Sequence, residues 1–393
     1  MPIEIADPVS SAAILSTSGQ RKQTDRVQRS ESAGFPRSMV ALLRCVADGA
    51  EIRLSGEFAA DRCGIYDGLL ECTQCQRQYP VEAGIVRMLE EDRSGETDHE
   101  IALKDQEYEA MAEVFEPPPT GWRSRYMDAI EIPPHLSMLK LLPGLRMVEL
   151  GCGDGRLTLL CAQMGVDVLA VDFSLWALRR VRGNLVSGTA PTTYRLRTPF
   201  RQGNLSGYVG LVQADASRLR LAPRSFQRAL SATPLDSRDE RMGMYAAISE
   251  ALTDDGRYLA GVEHDDLQRR MLGLAQVRRY FSGGILIEHL DRTTMAREMA
   301  PYFGRQKMRL IRPRLPLCTA LPPRLRLWTA RLAARTPVVQ HFGEILLNCA
   351  ENPRRQPQDG QRRTGIPLLK SLFRAIKRRR GQQPTWSSGD GLV

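Results

Sequence analysis

The sequence predicts an α/β protein whose main domain spans about residues 120–350, behind a small cysteine-bearing domain at 39–90. Three observations carry that expectation. The stretch Met147-Val-Glu-Leu-Gly-Cys-Gly-Asp-Gly-Arg156 ends an apolar run in glycines at alternate positions, Gly151, Gly153 and Gly155. A helical pattern follows, then a second apolar run, Val168 to Val171, that closes on Asp172. Further apolar runs then recur at the spacing of strands separated by helices. A strand, a tight glycine turn, a helix and a second parallel strand form a unit that binds a nucleoside at the carboxyl ends of its strands.

Taken in order, residues 1–38 are polar and rich in Ser, Gln and Arg, and read as a disordered tail. Residues 91–119 are a linker that begins acidic and ends in Pro117-Pro-Pro119. Pro133-Pro134 and a helical run from His135 to Leu142 lead into the first strand. Strands are expected at 146–150, 167–171, 208–213, 228–232, 257–263, 307–312 and 344–350. Helices are expected between most of them, such as Leu175 to Leu185 and Met242 to Leu252. Asp254-Asp-Gly256 is the turn entering the fifth strand. Insertions fall at about 186–207 and 313–341, where loop decoration or substrate contacts are the two readings.

The chain has 393 residues and a net charge of +10, which favours polyanionic partners such as RNA or an anionic membrane face. Residues 321–393 hold 14 Lys or Arg against 4 Asp or Glu, so the excess is concentrated at the basic end. Within the tail at 351–393, residues 367–380 put Leu368, Leu369, Leu372, Phe373 and Ile376 on one helical face, with cations on the other face and its flanks. Such a helix suits an anionic bilayer, a phosphate backbone, or its own catalytic domain. Arg324 to Arg335, with Leu325, Trp328 and Leu332 on one side, is a second basic amphipathic segment. The first 38 residues lack a secretory pattern, and no apolar stretch reaches the roughly 20 residues that span a bilayer. The eight cysteines are not spaced as a secreted disulfide framework. The expected location is cytoplasmic, with peripheral attachment at the inner membrane face as an option.

The glycine spacing is G-x-G-x-G, not the G-x-G-x-x-G that faces a pyrophosphate, and Glu149 and Asp154 flank the turn. Negative charge there suits a ligand carrying an ammonium and a sulfonium. The motif resembles that of the class I S-adenosylmethionine-dependent methyltransferases, roughly V-L-D/E-x-G-C-G-x-G. The resemblance covers about 120–350 and implies a Rossmann-like sheet of seven strands with the last one antiparallel. It implies S-adenosyl-L-methionine as cofactor. Glu149 is then turned toward the methionine amino group, while Gly151, Cys152, Gly153 and Gly155 line the methionine and ribose. Asp172 and Phe173 take the ribose hydroxyls and adenine face. Asp215 and Ala216 sit at adenine N6, although a helix N-cap is the competing role for Asp215. Ser231 opens the segment 231–235 that faces the methyl group. Strand four carries Gln227 where the family usually has an acid, and it lacks the N/D-P-P-Y/F run of amine methylation. His264, just after strand five, is the candidate general base, against a structural histidine.

Cys72-x-x-Cys75 has the spacing of a zinc knuckle. The run C-x-x-C-x-x-x-Y-P-V-x-x-G-I-x-x-M-L from Cys72 to Leu89 resembles a small zinc-ribbon family that activates methyltransferases. That resemblance implies Cys45, Cys72 and Cys75 as Zn2+ ligands. The partner knuckle, Cys45-Val-Ala-Asp48, lacks its second thiolate. Asp48 or Cys63 then completes the site, or the metal is lost and Leu54, Tyr79, Ile85 and Leu89 alone hold the ribbon.

Three functions compete. The first is a methyltransferase acting on a small or lipid-linked hydrophobic acceptor. The second is an RNA methyltransferase of the ribosomal kind, which the charge supports although no aromatic-rich basic platform is evident. The third is a non-catalytic cofactor-binding scaffold whose ribbon recruits a partner.

Overall fold

The computed structural model describes residues 33–61, 64–89, 122–187, 191–194, 196, 207–232, 238–265, 273, 277–280, 285–313, 322, 325, 328–329, 332 and 343–355. The chain divides into two compact units, Met1–Arg355 and Gln356–Val393, and all described residues belong to the first. The helix expected at 367–380, the linker at 91–119 and most of the two insertions lie outside the described residues.

The N-terminal segment holds α1 (Arg37–Val40), β1 (Leu43–Arg44), β2 (Ile52–Ala60), β3 (Ile65–Cys72), β4 (Gln78–Glu82) and β5 (Ile85–Arg87). After α2 (Trp122–Leu139), strands and helices alternate: β6 (Arg146–Leu150), α3 (Arg156–Gln163), β7 (Asp167–Asp172), α4 (Leu175–Ser187), β8 (Val209–Gln213), β9 (Arg220–Leu221), β10 (Phe226–Ser231), α5 (Arg238–Ala251) and β11 (Leu252–Glu263). The chain continues through β12 (Val277–Tyr280), β13 (Ile285–Glu288), α6 (Arg292–Met299), β14 (Phe303–Pro313) and β15 (Gly343–Pro353).

The principal sheet has eleven strands, in the order β14-β15-β11-β10-β6-β7-β8-β5-β4-β3-β2. Seven come from 146–353. The central strands β8, β7, β6, β10 and β11 are parallel, and β15 runs antiparallel to both β11 and β14. Strands such as Val168 to Val171 and Val209 to Gln213 are buried throughout, as expected of a parallel sheet covered on both faces.

The four extra strands correct a sheet of seven, and they have a physical cause. The edge of β8 would expose unpaired backbone N–H and C=O groups. Instead β5 lies parallel to it, pairing Ile85 with Leu211 and Arg87 with Gln213, and β4, β3 and β2 continue the sheet. A second pairing joins β1 to β9. Side chains reinforce the seam. Phe35 and Met39 press on Gly210 of β8, where an added Cβ would sit 2.7 Å from the Met39 sulfur and 2.9 Å from Phe35. The Arg182 guanidinium on α4 donates to the Tyr66 hydroxyl at 2.5 Å. The expected tail therefore ends earlier than residue 38: Phe35 is fully buried and Ala33 and Gly34 are tied to Asp61.

A second correction concerns the helix before β6. It begins at Trp122 and runs through Pro133 and Pro134 rather than starting after them. Two prolines remove two ladder donors. Just past them, His135 Nδ1 donates to the Glu131 carbonyl at 2.7 Å.

Candidate functional site

Gly151, Gly153 and Gly155 all adopt the left-handed conformation, with φ of 72°, 54° and 82°. Only glycine takes that region three times in five residues without strain. At Gly155 a Cβ would also stand 2.9 Å from Val181 on α4. The turn leaves the carboxyl end of β6 and opens directly into α3, so sequence pattern and backbone conformation agree.

Asp172, at the end of β7, fastens this turn. Its Oδ2 accepts from the Gly153 amide at 2.8 Å and its Oδ1 from the Ser174 amide at 2.9 Å. The Ala214 amide after β8 donates to the Asp172 carbonyl, which draws the ends of β7 and β8 together. Phe173 is half-buried, and its carbonyl accepts from the buried Gln213 amide at 3.0 Å. Asp215 caps a turn, as its Oδ1 accepts from the Ser217 amide and hydroxyl at 2.8 and 2.6 Å. Ala216 packs against the core. Ser231 is buried and hydrogen-bonded to the Tyr258 phenol; Thr233 to Leu235 lie outside the described residues.

Glu149 is buried beneath the turn, where the Thr158 hydroxyl of α3 donates to it at 2.5 Å. Burial pushes its carboxyl up to about 8. The Thr158 bond pulls the other way, and Asp154 and Asp172 add repulsion. Burial likewise raises Asp154 and Cys152. This acidic, glycine-floored cradle has no room for a pyrophosphate's charge, and it suits a cationic ligand.

A second feature was not legible in the sequence. Arg156, the first residue of α3, donates to Asp128 at 3.1 Å and to Glu131 at 2.6 Å, both on α2. Burial opposes its charge, yet Glu131 and Asp128 hold its pKa above the usual arginine value. Asp128 also accepts from Thr192 and Thr193, and Glu131 meets Arg312 at 3.2 Å. The lattice pins α2 beside the glycine turn and anchors the described part of the 186–207 insertion. Asp128 and Glu131 lie one helical turn apart, which was the available signal.

Gln227, in the place of the family's acid, accepts from the Arg146 amide at 2.8 Å. The amide oxygen thus joins β10 to the start of β6. His264 lies farther along the sheet. Ser231 pairs with Ala260, so His264 is four residues beyond that level, about 13 Å of strand. Its Nδ1 donates to the Gly343 carbonyl at 3.0 Å, and its amide bonds Glu344. Asp265 and His289, neither foreseen, are buried beside it where 263–265 cross Leu290.

In the N-terminal segment, ligand atoms of Cys45, Asp48, Cys72 and Cys75 all lie within 4.8 Å of one another. Cys45 and Cys75 sulfurs are 3.5 Å apart, and Cys72 sulfur is 3.4 Å from Asp48 Oδ2. Asp48 Oδ1 is held by the Ala50 amide, and the Tyr79 hydroxyl donates to Cys45 sulfur at 3.1 Å. Three thiolates and one carboxylate at these separations fit a tetrahedral Zn2+, whose sulfurs stand about 3.8 Å apart for Zn–S near 2.3 Å. Cys63 lies outside the described residues.

Residues 148–260 match the family model described as methyltransferase domain. A search of curated proteins finds no match. Among solved structures, the chain is similar to an S-adenosylmethionine dependent methyltransferase from Mesorhizobium loti, with 18% identity over 60% of this chain and 100% of that one, and a TM-score of 0.39. It is similar to the Burkholderia thailandensis 1,6-didemethyltoxoflavin-N1-methyltransferase, with 16% identity over 72% and 98% and a TM-score of 0.38. A third is a complex between a methyltransferase activator and a methyltransferase from Haloferax volcanii, with 16% identity over 64% and 98% and a TM-score of 0.40. Residues 148–260 of this chain thus carry a methyltransferase domain.

Proposed function

We propose that this methyltransferase acts on a small or lipid-linked hydrophobic acceptor. The observation that carries the cofactor half of this reading is the glycine turn fastened by Asp172 and walled by Glu149 and Asp154. When bound, S-adenosyl-L-methionine supplies an electrophilic methyl carbon on a sulfonium. The chain's residues do the aligning, which supplies most of the acceleration in such a displacement. The Asp172 carboxylate, held at the end of β7, accepts the ribose hydroxyls. Gly151, Cys152, Gly153 and Gly155 give the backbone close approach. Asp215 and Ala216 bound the adenine edge and Phe173 its face. Glu149 and Asp154 face the ammonium.

His264 is the proposed base for an acceptor that must lose a proton. With Nδ1 donating to Gly343, Nε2 is its basic nitrogen. Its distance along β11 from the level of Ser231 favours a long acceptor over a compact one. Zn2+ in the N-terminal segment is proposed on Cys45, Cys72, Cys75 and Asp48, as a structural ion. The basic helix at 367–380 is proposed to meet an anionic membrane face. Variants Leu372→Ser with Phe373→Ser test it by lost liposome binding, and RNA binding lost only with Arg378, Arg379 and Arg380 replaced by Gln would favour the RNA reading instead.

Calorimetry tests the cofactor reading. Micromolar binding of S-adenosyl-L-methionine, about −8 kcal/mol, is expected. Heat with NAD and none with S-adenosyl-L-methionine overturns it.

A further inference from the structure

The strand β14 forms one edge of the principal sheet. Along it Arg305, Lys307 and Arg309 alternate with Gln306 and Met308, so the three cations share one face. Each step between them is two residue rises, about 6.8 Å. The neighbouring β15 sets Glu351 opposite Arg305, Cys349 opposite Lys307 and Leu347 opposite Arg309. Glu351 is shared, at 2.8 Å from Arg257 and 3.6 Å from Arg305. The side chains of Lys307 and Arg309 form no hydrogen bond or ion pair with another described residue.

The helix α2 lies on this same face. The Cys349 thiol, level with Lys307, bonds the Met138 carbonyl near the end of α2, and α2 packs along β14 and β11. A helix is about 10–12 Å across, so the cations run in the corner between a raised helix and the sheet edge. Arg305 and Lys307 are exposed and Arg309 is half-buried. Burial alone pulls the Arg309 pKa below the usual arginine value. A guanidinium that gives up water without an acid to meet it is costly until an anion arrives. The shape of the corner selects that anion. A flat bilayer would touch the helix before it reached the recessed cations. An extended phosphodiester strand can lie in the corner and set successive phosphates on successive cations, whose spacing is close to its own. Such contacts go to the backbone and carry no base sequence.

We propose that this face of β14, beside α2, is a track for single-stranded RNA, held through its phosphates by Arg305, Lys307 and Arg309. The proposal goes beyond the acceptor reading and does not rest on it. The competing role for the three cations is protection, since charge on an edge strand keeps another strand from adding to it.

The test uses the full chain and a single-stranded uridine oligonucleotide, titrated at several salt concentrations. Each phosphate contact contributes about 0.7 to the salt slope of a single strand. Arg305→Gln, Lys307→Gln and Arg309→Gln together should lower that slope by about 2 and weaken binding roughly tenfold or more at low salt. Arg309→Gln alone should lower it by about 0.7, which keeps the test readable if the triple variant aggregates. A control of equal charge loss, Arg53→Gln with Arg146→Gln and Arg179→Gln, replaces exposed cations on other elements and should leave the slope unchanged. Photocross-linking of a thiouridine-substituted strand to wild type should mark Phe303–Pro313. An unchanged slope in both β14 variants overturns the proposal, as do cross-links confined to 356–393 or an equal loss in the control. Flotation with phosphatidylglycerol vesicles in the absence of any RNA binding overturns it too. Lost solubility with RNA affinity intact would assign the cations to edge protection instead. Calorimetric affinity for S-adenosyl-L-methionine should be the same in every variant, so failure of the track and failure of the cofactor reading are told apart.

Discussion

The glycine turn after β6 and the thiolate cluster at 45–75 are both prepared for a ligand, in opposite ways. The turn is made of backbone. Its shape is fixed by three left-handed glycines and one carboxylate. The cluster is made of side chains from two separate turns, brought within 4.8 Å with three thiols and a carboxylate facing one another. Deprotonated, those groups would repel, and a cation bound among them would offset that repulsion. A backbone site is preorganised at folding, whereas a side-chain site is completed by its ion.

The sharpest way to break this contrast is to remove the ion. Structural zinc binding in small sites is worth on the order of 10 kcal/mol. A strong chelator should therefore produce a large fall in melting temperature and leave the cysteines open to thiol reagents. A metal content near zero in purified, folded protein would show that the cluster holds without a cation, and the contrast would collapse. The companion expectation is that stripping the cofactor leaves the secondary structure intact, read by far-UV circular dichroism.

Asp172→Ala removes the fastening of the turn together with the proposed ribose acceptor. Cofactor binding should weaken by about 1.5–3 kcal/mol, the scale of charge-assisted hydrogen bonds, as read by calorimetry. An unchanged affinity would mean that the glycines alone define the site.

Gly210→Val probes the seam between the two regions. The new side chain meets Met39 and Phe35, and overpacking of this kind costs about 1–3 kcal/mol. Urea unfolding should register that loss. If the midpoint does not move, the N-terminal segment does not rest on β8 as described.

The last effect concerns Glu149 and appears only as a pH dependence. Its folded pKa of about 8 lies above the ordinary 4.5, so the folded state holds the proton more tightly. The stability this gives is full below the ordinary value and is lost as pH rises through about 8. Glu149→Gln cannot lose a proton, so relative to wild type it should gain stability as pH rises from about 4.5 to about 8. Parallel melting curves for the two proteins across that range would remove Glu149 from the account.

What was legible in the sequence follows the same division. Gly151, Gly153 and Gly155 announce themselves because a backbone conformation demands a residue type, and Asp172 follows at the end of an apolar run. The Cys72-x-x-Cys75 turn was equally visible, being local. The pairing of β5 with β8 was not, because a strand of three residues carries no register signal and its partner is set by tertiary packing. Nor was the Arg156 lattice, whose members come from α2, α3, the insertion and β14. Asp215 shows the limit at a single residue, since one carboxylate serves both as turn cap and as candidate ligand, and the two roles share one pattern.

The eleven-stranded sheet also sets an order of events during synthesis. Ile85 pairs with Leu211, so at about 5–20 residues per second the N-terminal strands wait roughly 6–25 s for their neighbour to emerge. During that interval β5 presents an open edge, a template for wrong pairing. The hairpins β2–β3 and β3–β4 are already complete, and so are both halves of the thiolate cluster. A captured ion would then act as a clasp on the nascent chain, and its most consequential service would be rendered before the catalytic domain exists.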